Sequence, residues 1–291
     1  MYADLVIKSN AVFTGDGSLP FAGGVAIRGD KILTCGNDLH LAPFIGPDTE
    51  IRDYGDKLVM PGLIDSHTHI AQGAFMTDPD FCVNLIDCTS FEQAMERVKA
   101  FADCHPDNEW LVGVQIIQFQ WEVPEMPAAA MIDAYISDRP VFLQQVDMHT
   151  FSANTCAMKK MGVTRDTPDP LGGKILHDEI GEPTGVFSNN AASIFMDSVY
   201  NPPLERAEES FEKTAHYATS LGITSVGAVN PTFVSLENPY AVFADMNRVG
   251  RFPLRVFMYT DLFDLETMTP DEIRARYSFP GTTIEWNGLK Q

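Results

Sequence analysis

The sequence predicts an α/β protein in two parts: a small antiparallel β-layer over residues 1–57, then parallel strands joined by crossover helices over residues 58–291. Three observations predict it. Residues 4–57 carry short apolar runs between glycine-rich turns. From residue 58, apolar strand-like runs alternate with helical segments. A strand, a helix and a further strand in succession place the two strands parallel, because the crossover returns the chain to the same end of the sheet. This pattern fits a doubly wound sheet and a barrel equally.

The elements follow in order. Residues 5–7 and 11–14 read as strands, with Gly15-Asp16-Gly17 and Gly23-Gly24 as turns. Residues 25–35 form a hairpin around Gly29-Asp30, and residues 50–54 a strand before a turn at Gly55-Asp56. The run from Leu58 is continuously apolar, the mark of a strand buried on both faces. A turn-rich stretch precedes a helix over residues 90–104, which Ser90 caps with Gln93 three residues on, and whose stripe is Phe91, Ala94, Met95, Val98 and Phe101. Strands follow at 110–116 and 139–146, with a short helix at 127–135 between them. A helix over 152–161 ends at Gly162, and the Pro- and Gly-rich residues 164–185 make a long loop or hairpin. Helices at 204–221, 239–250 and 270–277 then alternate with strands at 223–229, 254–259 and 283–290.

The 291 residues, 45% hydrophobic, can bury a large core. A formal charge of -20 argues against nucleic acid or an anionic membrane surface as partner. No apolar run approaches the roughly 18 residues of a membrane helix, and Met1-Tyr2-Ala3-Asp4-Leu5 does not read as a signal peptide. The five cysteines are scattered without a Cys-x-x-Cys spacing, which suits reduced thiols in a cytoplasmic protein.

Chemistry concentrates at Asp65-Ser66-His67-Thr68-His69. Alternating strand side chains put His67 and His69 on one side, about 7 Å apart along the strand. Two imidazoles converging at a strand end suit a divalent metal such as zinc. The other reading is two histidines at a strand tip with no ligand.

The stretch from Pro61 to His69 resembles the metal-binding first barrel strand of the amidohydrolase superfamily. Thr167-Pro168-Asp169-Pro170-Leu171-Gly172-Gly173-Lys174-Ile175 and Gly181-Glu182-Pro183-Thr184-Gly185-Val186-Phe187 resemble fingerprints of one branch, the amidohydrolase-3 group that includes N-substituted formamide deformylases. The resemblance runs from about Asp4 to Lys290 and implies a partial (β/α)8, TIM-like barrel beside a β-sandwich-like layer, with a branch-specific insertion at about 90–205. It implies only the N-terminal half of such a protein.

That resemblance implies a metal-dependent hydrolase of non-peptide C–N bonds. His67 and His69 would hold the metal, zinc above others, together with Lys290, the counterpart of a lysine that the superfamily often carbamylates. His149, in Val146-Asp147-Met148-His149, and Trp121 match positions near the substrate, with structural packing the alternative for each. Asn189 stands in Phe187-Ser188-Asn189 where the branch commonly has Leu-Arg-Glu, and Gln115 in Val114-Gln115-Ile116 where it often has Gly-Trp-Asp. The general-base aspartate is expected beyond Gln291. The partners implied are a small-molecule substrate and either a second copy or another chain that completes the barrel. The alternative function is a non-catalytic half-barrel that binds such a chain.

Overall fold

In a computed structural model of the chain, residues 1–229, 238–261 and 264–290 are described, with Asp261, Asp264, Leu289 and Lys290 described in backbone only. The chain forms two compact units, Met1–Leu63 and Ile64–Gln291.

The first unit is one five-stranded sheet. Its strands are β1 (Leu5–Val12), β2 (Phe21–Arg28), β3 (Lys31–Gly36), β4 (Glu50–Asp53) and β5 (Leu58–Val59), in the order β3-β2-β1-β4 with β5 also on β1. The expected antiparallel, sandwich-like layer is corrected here. Only β1, β2 and β3 are antiparallel, while β4 and β5 both run parallel to β1. The cause is a crossover: helix α1 (Asp38–Leu41), capped by the Asn37 side chain, and a 3-10 turn at Ala42–Phe44 bring the chain back before β4. Gly23 and Gly24 lie inside β2 and make no turn. A Cβ on Gly23 would lie 2.9 Å from the Gly36 carbonyl carbon, and one on Gly24 3.2 Å from that of Ile7. Both glycines therefore serve close strand approach.

The second unit carries two sheets. Strand β6 (Leu63–Thr68) leads into helix α2 (Ile70–Met76), then β7 (Val83–Asn84), α3 (Phe91–Cys104), β8 (Leu111–Ile116), α4 (Ala129–Asp133), β9 (Val141–Gln145), β10 (Thr150–Ala153) and α5 (Thr155–Lys160). The chain continues through β11 (Gly173–His177), β12 (Pro183–Asn189), α6 (Ser193–Val199), α7 (Leu204–Ser220), β13 (Ile223–Val229), α8 (Pro239–Arg248), β14 (Arg255–Asp261), α9 (Asp264–Thr267), α10 (Pro270–Arg276) and β15 (Ile284–Lys290). One sheet has the order β11-β12-β10-β9-β8-β7 and the other β15-β14-β13-β6. In the second, β13, β14 and β15 are parallel. The fold is thus mixed α/β with its parallel strands divided between two sheets. Among the described residues neither sheet closes on itself.

One core joins the two sheets. Val112 and Val114 of β8, Phe142 of β9, Phe187 of β12 and Val226 and Ala228 of β13 meet Phe75 of α2, Phe211 of α7 and Phe243 of α8. A second cluster lies under α3, where Met95 and Val98 pack on Leu111, Leu143 and Ile116. Gln115 takes φ 63, and a register shift between Gly113 and Ile116 accompanies it. That bulge sends Ile116 to the α3 side, while Val112 and Val114 face the other core.

Three other expectations change. Residues 70–76 are the helix α2 rather than turns. Residues 150–153 form β10, and the helix starts only at Thr155, because buried Asn154 ends the strand: its amide binds Val141 N, Ile136 O and Arg139 O and accepts from Ala157 N. The Leu58 run breaks into β5 and β6 at Met60-Pro61-Gly62, and no residue of β6 is buried. Leu63 and Ile64 are 48% and 64% exposed, since among the described residues β6 is a sheet edge with β13 as its one neighbour.

Buried Asp78 ties the end of α2 to α7. Its carboxylate accepts from Ser210 Oγ at 2.6 Å and Arg206 at 2.7 Å, with Lys213 at 3.6 Å. Burial alone would raise its pKa, but the Ser210 hydroxyl, the Asp80 N–H, Arg206 and Lys213 together hold it below the usual carboxylate value.

Two outcomes follow. Gly227→Ala is expected to lower stability by about 1–3 kcal/mol in urea unfolding, because its Cβ would lie 2.8 Å from the Ser66 carbonyl carbon and push β6 off β13. A carboxylate whose folded pKa is depressed stabilises above its unfolded pKa and loses that contribution as pH falls through the folded value. Asp78→Asn should therefore cost about 2 kcal/mol near neutral pH. The difference from the wild type should shrink as the pH of the unfolding measurement is lowered below about 4.

Candidate active site

Strand β6 delivers His67 on its last turn of the pleat, and His69 is the residue from which α2 starts. The Asp65 carboxylate accepts the His67 N–H at 3.1 Å, and the His69 carbonyl accepts the Gly73 N–H at 2.7 Å. These bonds fix the backbone on either side of the pair. The two imidazole rings stand edge to face, their centroids 5.7 Å apart and their planes at 65°.

Beside them opens a cleft of about 750 Å³, and His69, His149 and Asn189 all line it. The structure thus brings together a histidine expected for metal and two residues expected for substrate. His149 projects from a tight turn between β9 and β10. The Asp147 carboxylate accepts from His149 N at 2.7 Å, Thr150 N at 3.0 Å and Thr150 Oγ1 at 3.2 Å. This forces Met148 into the left-handed region, with φ 59. Asn189 closes the other side, donating its N–H to the His149 carbonyl at 2.7 Å. It holds φ 49 and ψ -127, a conformation that side chains other than glycine's adopt at a cost.

One expected residue stands elsewhere. Trp121 is buried in the cluster under α3, its indole N–H donated to Cys88 O at 2.9 Å, so packing accounts for it and it does not line the cleft. Lys290 ends β15, where its backbone registers with Asp261; its side chain lies outside the described residues. The five cysteines are free thiols, and burial, with Asp78 nearby, pushes Cys82 up to about 12, which makes it a poor nucleophile.

Further residues to which sequence reasoning assigned no role line the cleft, among them Gln72, Asp147, Ser193 and Asp197. Asp147 had a signal, since an Asp two residues before a histidine after a strand makes a side-chain-capped turn. The others sit on α2 and α6, helices that start without a side-chain cap.

The 5.7 Å between the ring centroids is close to the roughly 5 Å that two imidazoles on one tetrahedral ion would hold, given Zn–N bonds of about 2.0–2.1 Å. Among the described residues no group of three or more His, Cys, Asp or Glu side chains is arranged to hold a metal. No helix among the described residues is long and apolar enough to cross a membrane.

Residues 50–280 match the model of the Amidohydrolase family. The chain is 34% identical over 224 residues to the protein LONG AFTER FAR-RED 3 of Arabidopsis thaliana, covering 77% of this chain and 38% of that one. It is 28% identical over 259 residues to an N-substituted formamide deformylase of Arthrobacter pascens, covering 86% of this chain and 46% of that one. In structure it resembles an uncharacterized metal-dependent hydrolase of Pyrococcus horikoshii, with a TM-score of 0.66 at 20% identity, over 98% of this chain and 53% of that one. The chain therefore spans about half the length, or less, of the relatives it matches.

The strain at Met148 has a measurable consequence. A non-glycine residue in the left-handed region costs about 1–2 kcal/mol, and glycine loses part of that gain to its own chain entropy. Met148→Gly should thus raise stability by about 0.5–1 kcal/mol in thermal or chemical unfolding.

Proposed function

The chain belongs to the amidohydrolase family, and from that premise we propose that it is the metal-binding half of a hydrolase of non-peptide C–N bonds. The observation that carries this reading is the pair His67 and His69, one of which opens on the cleft that His149 and Asn189 share. His67 and His69 would hold a divalent ion, zinc by preference, with Lys290 a candidate third ligand. When bound, such an ion supplies Lewis-acid polarisation of a carbonyl and lowers the pKa of water.

The protein's own residues do the positioning. Asp147 and Asn189 clamp the His149 backbone from two sides, so its imidazole reaches the cleft from a fixed base. There it can donate to or accept from a substrate's polar group. Buried Phe151 and half-buried Met148 and Met196 form an apolar wall that excludes water from one side of a bound small molecule. The aspartate that takes the proton from water is, by resemblance, sought beyond Gln291.

A second reading, a non-catalytic half-barrel that pairs with another chain, draws on the exposure of Leu63 and Ile64 on β6.

Zinc titration by calorimetry tests the first reading. The wild-type chain should bind one equivalent, and the His67→Ala, His69→Ala double variant none. Equal binding by both, or none by the wild type, would remove the metal site and leave the pairing role.

A further inference from the structure

Gln144 of β9 is fully buried, and among the described residues its Nε2 has no hydrogen-bond partner. The other end of the carboxamide is engaged. The Tyr200 hydroxyl, which burial keeps protonated, donates to Gln144 Oε1 at 2.9 Å. That bond sets which end of the amide is which and leaves two N–H donors unmet. The sheet face that carries Gln144 is otherwise apolar: Phe142 stands two residues before it, and Phe151 is its partner across the β9–β10 ladder.

This position adjoins the cleft from behind. Phe151 lines the cleft, and directly paired residues on antiparallel strands share a face, their Cβ atoms about 4.5–5.5 Å apart. Tyr200 donates its backbone N–H to the Met196 carbonyl at 2.9 Å, one turn back on α6, and Met196 lines the cleft as well. Gln144 thus stands behind the wall that Phe151 and Met196 form. Met196 is half-buried and unbranched, so its side chain can swing aside.

A buried donor without a partner costs folding free energy, and native proteins retain few of them. One kept directly behind a cleft wall points to an acceptor that arrives with a ligand. Charge narrows the class. Asp147 and Asp197 line the cleft, and no lysine or arginine does among the described residues. An anion drawn in behind Phe151 and Met196 would lose its hydration and meet no cation there. A ketone-type carbonyl, an ether oxygen or a ring nitrogen meets the donors without that loss.

We infer that Gln144 Nε2 forms a subsite behind Phe151 and Met196, and that this subsite takes a neutral hydrogen-bond acceptor carried on an apolar group. The inference goes beyond the hydrolase reading: the acceptor is a separate handle on the ligand, distinct from any bond that is cleaved, and its binding needs no metal.

The test uses three probes of one shape: acetophenone, with a neutral acceptor; ethylbenzene, in which CH₂ replaces the carbonyl; and benzoate, in which the acceptor is charged. Each is titrated by protein-observed NMR against the wild type and a Gln144→Met, Tyr200→Phe double variant. The double variant keeps both side-chain shapes and removes the bond from both ends, a change that costs little stability. The wild type should bind acetophenone at least about tenfold more tightly than ethylbenzene, because only the ketone supplies the missing acceptor. Benzoate should bind no more tightly than ethylbenzene. In the double variant the preference for acetophenone should vanish while ethylbenzene binding is unchanged. Should that variant fail to fold, the Gln144 side-chain amide protons of the wild type serve instead: they should move downfield with acetophenone, the mark of a new hydrogen bond, and not with ethylbenzene. Equal binding of acetophenone and ethylbenzene, no binding of acetophenone, benzoate binding as tight as acetophenone, a preference that survives in the double variant, or no downfield shift overturns the subsite. Failed zinc binding with the acetophenone preference intact removes the hydrolase reading and leaves the subsite; zinc binding with the preference absent removes the subsite alone.

Discussion

The site depends on the burial of one short helix. Seven residues are too few for a helix to persist alone in water, and α2 also contains Gly73 and starts with no side-chain cap. It exists because Ile70, Ala71, Gln72, Ala74 and Phe75 are buried. Phe75 is the anchor, its ring 5.6 Å from that of Phe211 on α7 and 5.1 Å from that of Phe81. Asp78 then fastens the far end to Arg206 and Ser210. The direction in which His69 leaves β6 is therefore set by aromatic packing and an ion network well away from the imidazoles.

The opposite wall of the cleft is built differently. Strands β8 and β9 are buried on both faces, since Leu111 and Leu143 face one core while Val112 and Phe142 face the other. A sheet clamped in this way tolerates locally unfavourable backbone at its ends. Among the described residues three non-glycine residues have positive φ, namely Gln115, Met148 and Asn189, and the last two line the cleft. Strain of this kind persists where surrounding structure over-determines the conformation, and it is concentrated where side chains must be aimed.

Elements with strong local signals were legible in the sequence. Ser90 caps α3 by accepting the Gln93 N–H at 3.2 Å, Gly222 follows α7 at φ 82, and the apolar run of β13 has the bounds its sequence implied. Elements held by tertiary contact alone were not: α2 and α6 lack caps, and β10 looked helical until Asn154 is seen bonding across to β9. The same division runs through the site. The His67–His69 pair, His149 and Asn189 carry signals within a few residues of sequence. Gln72 and Asp197 carry none, because their meaning comes only from where unsignalled helices place them. Trp121 shows the converse, a motif position whose ring the fold spends on the core.

These differences give the cleft walls of unequal stability. The wall from β9, β10 and β12 belongs to a sheet with two buried faces. Among the described residues, the strand that carries His67 has no buried residue and pairs with β13 alone, its backbone drawn close at the side-chain-free Gly227. Segments with little buried apolar area open at a smaller free energy than the global unfolding of their domain. The imidazole pair thus stands on the side with less buried surface, and His149 and Asn189 on the side with more. A ligand bridging the two walls would lend β6 part of the stability that its own packing lacks, since whatever binds only the ordered strand favours that state by mass action. Occupancy of the cleft and order in β6 are then two aspects of a single equilibrium.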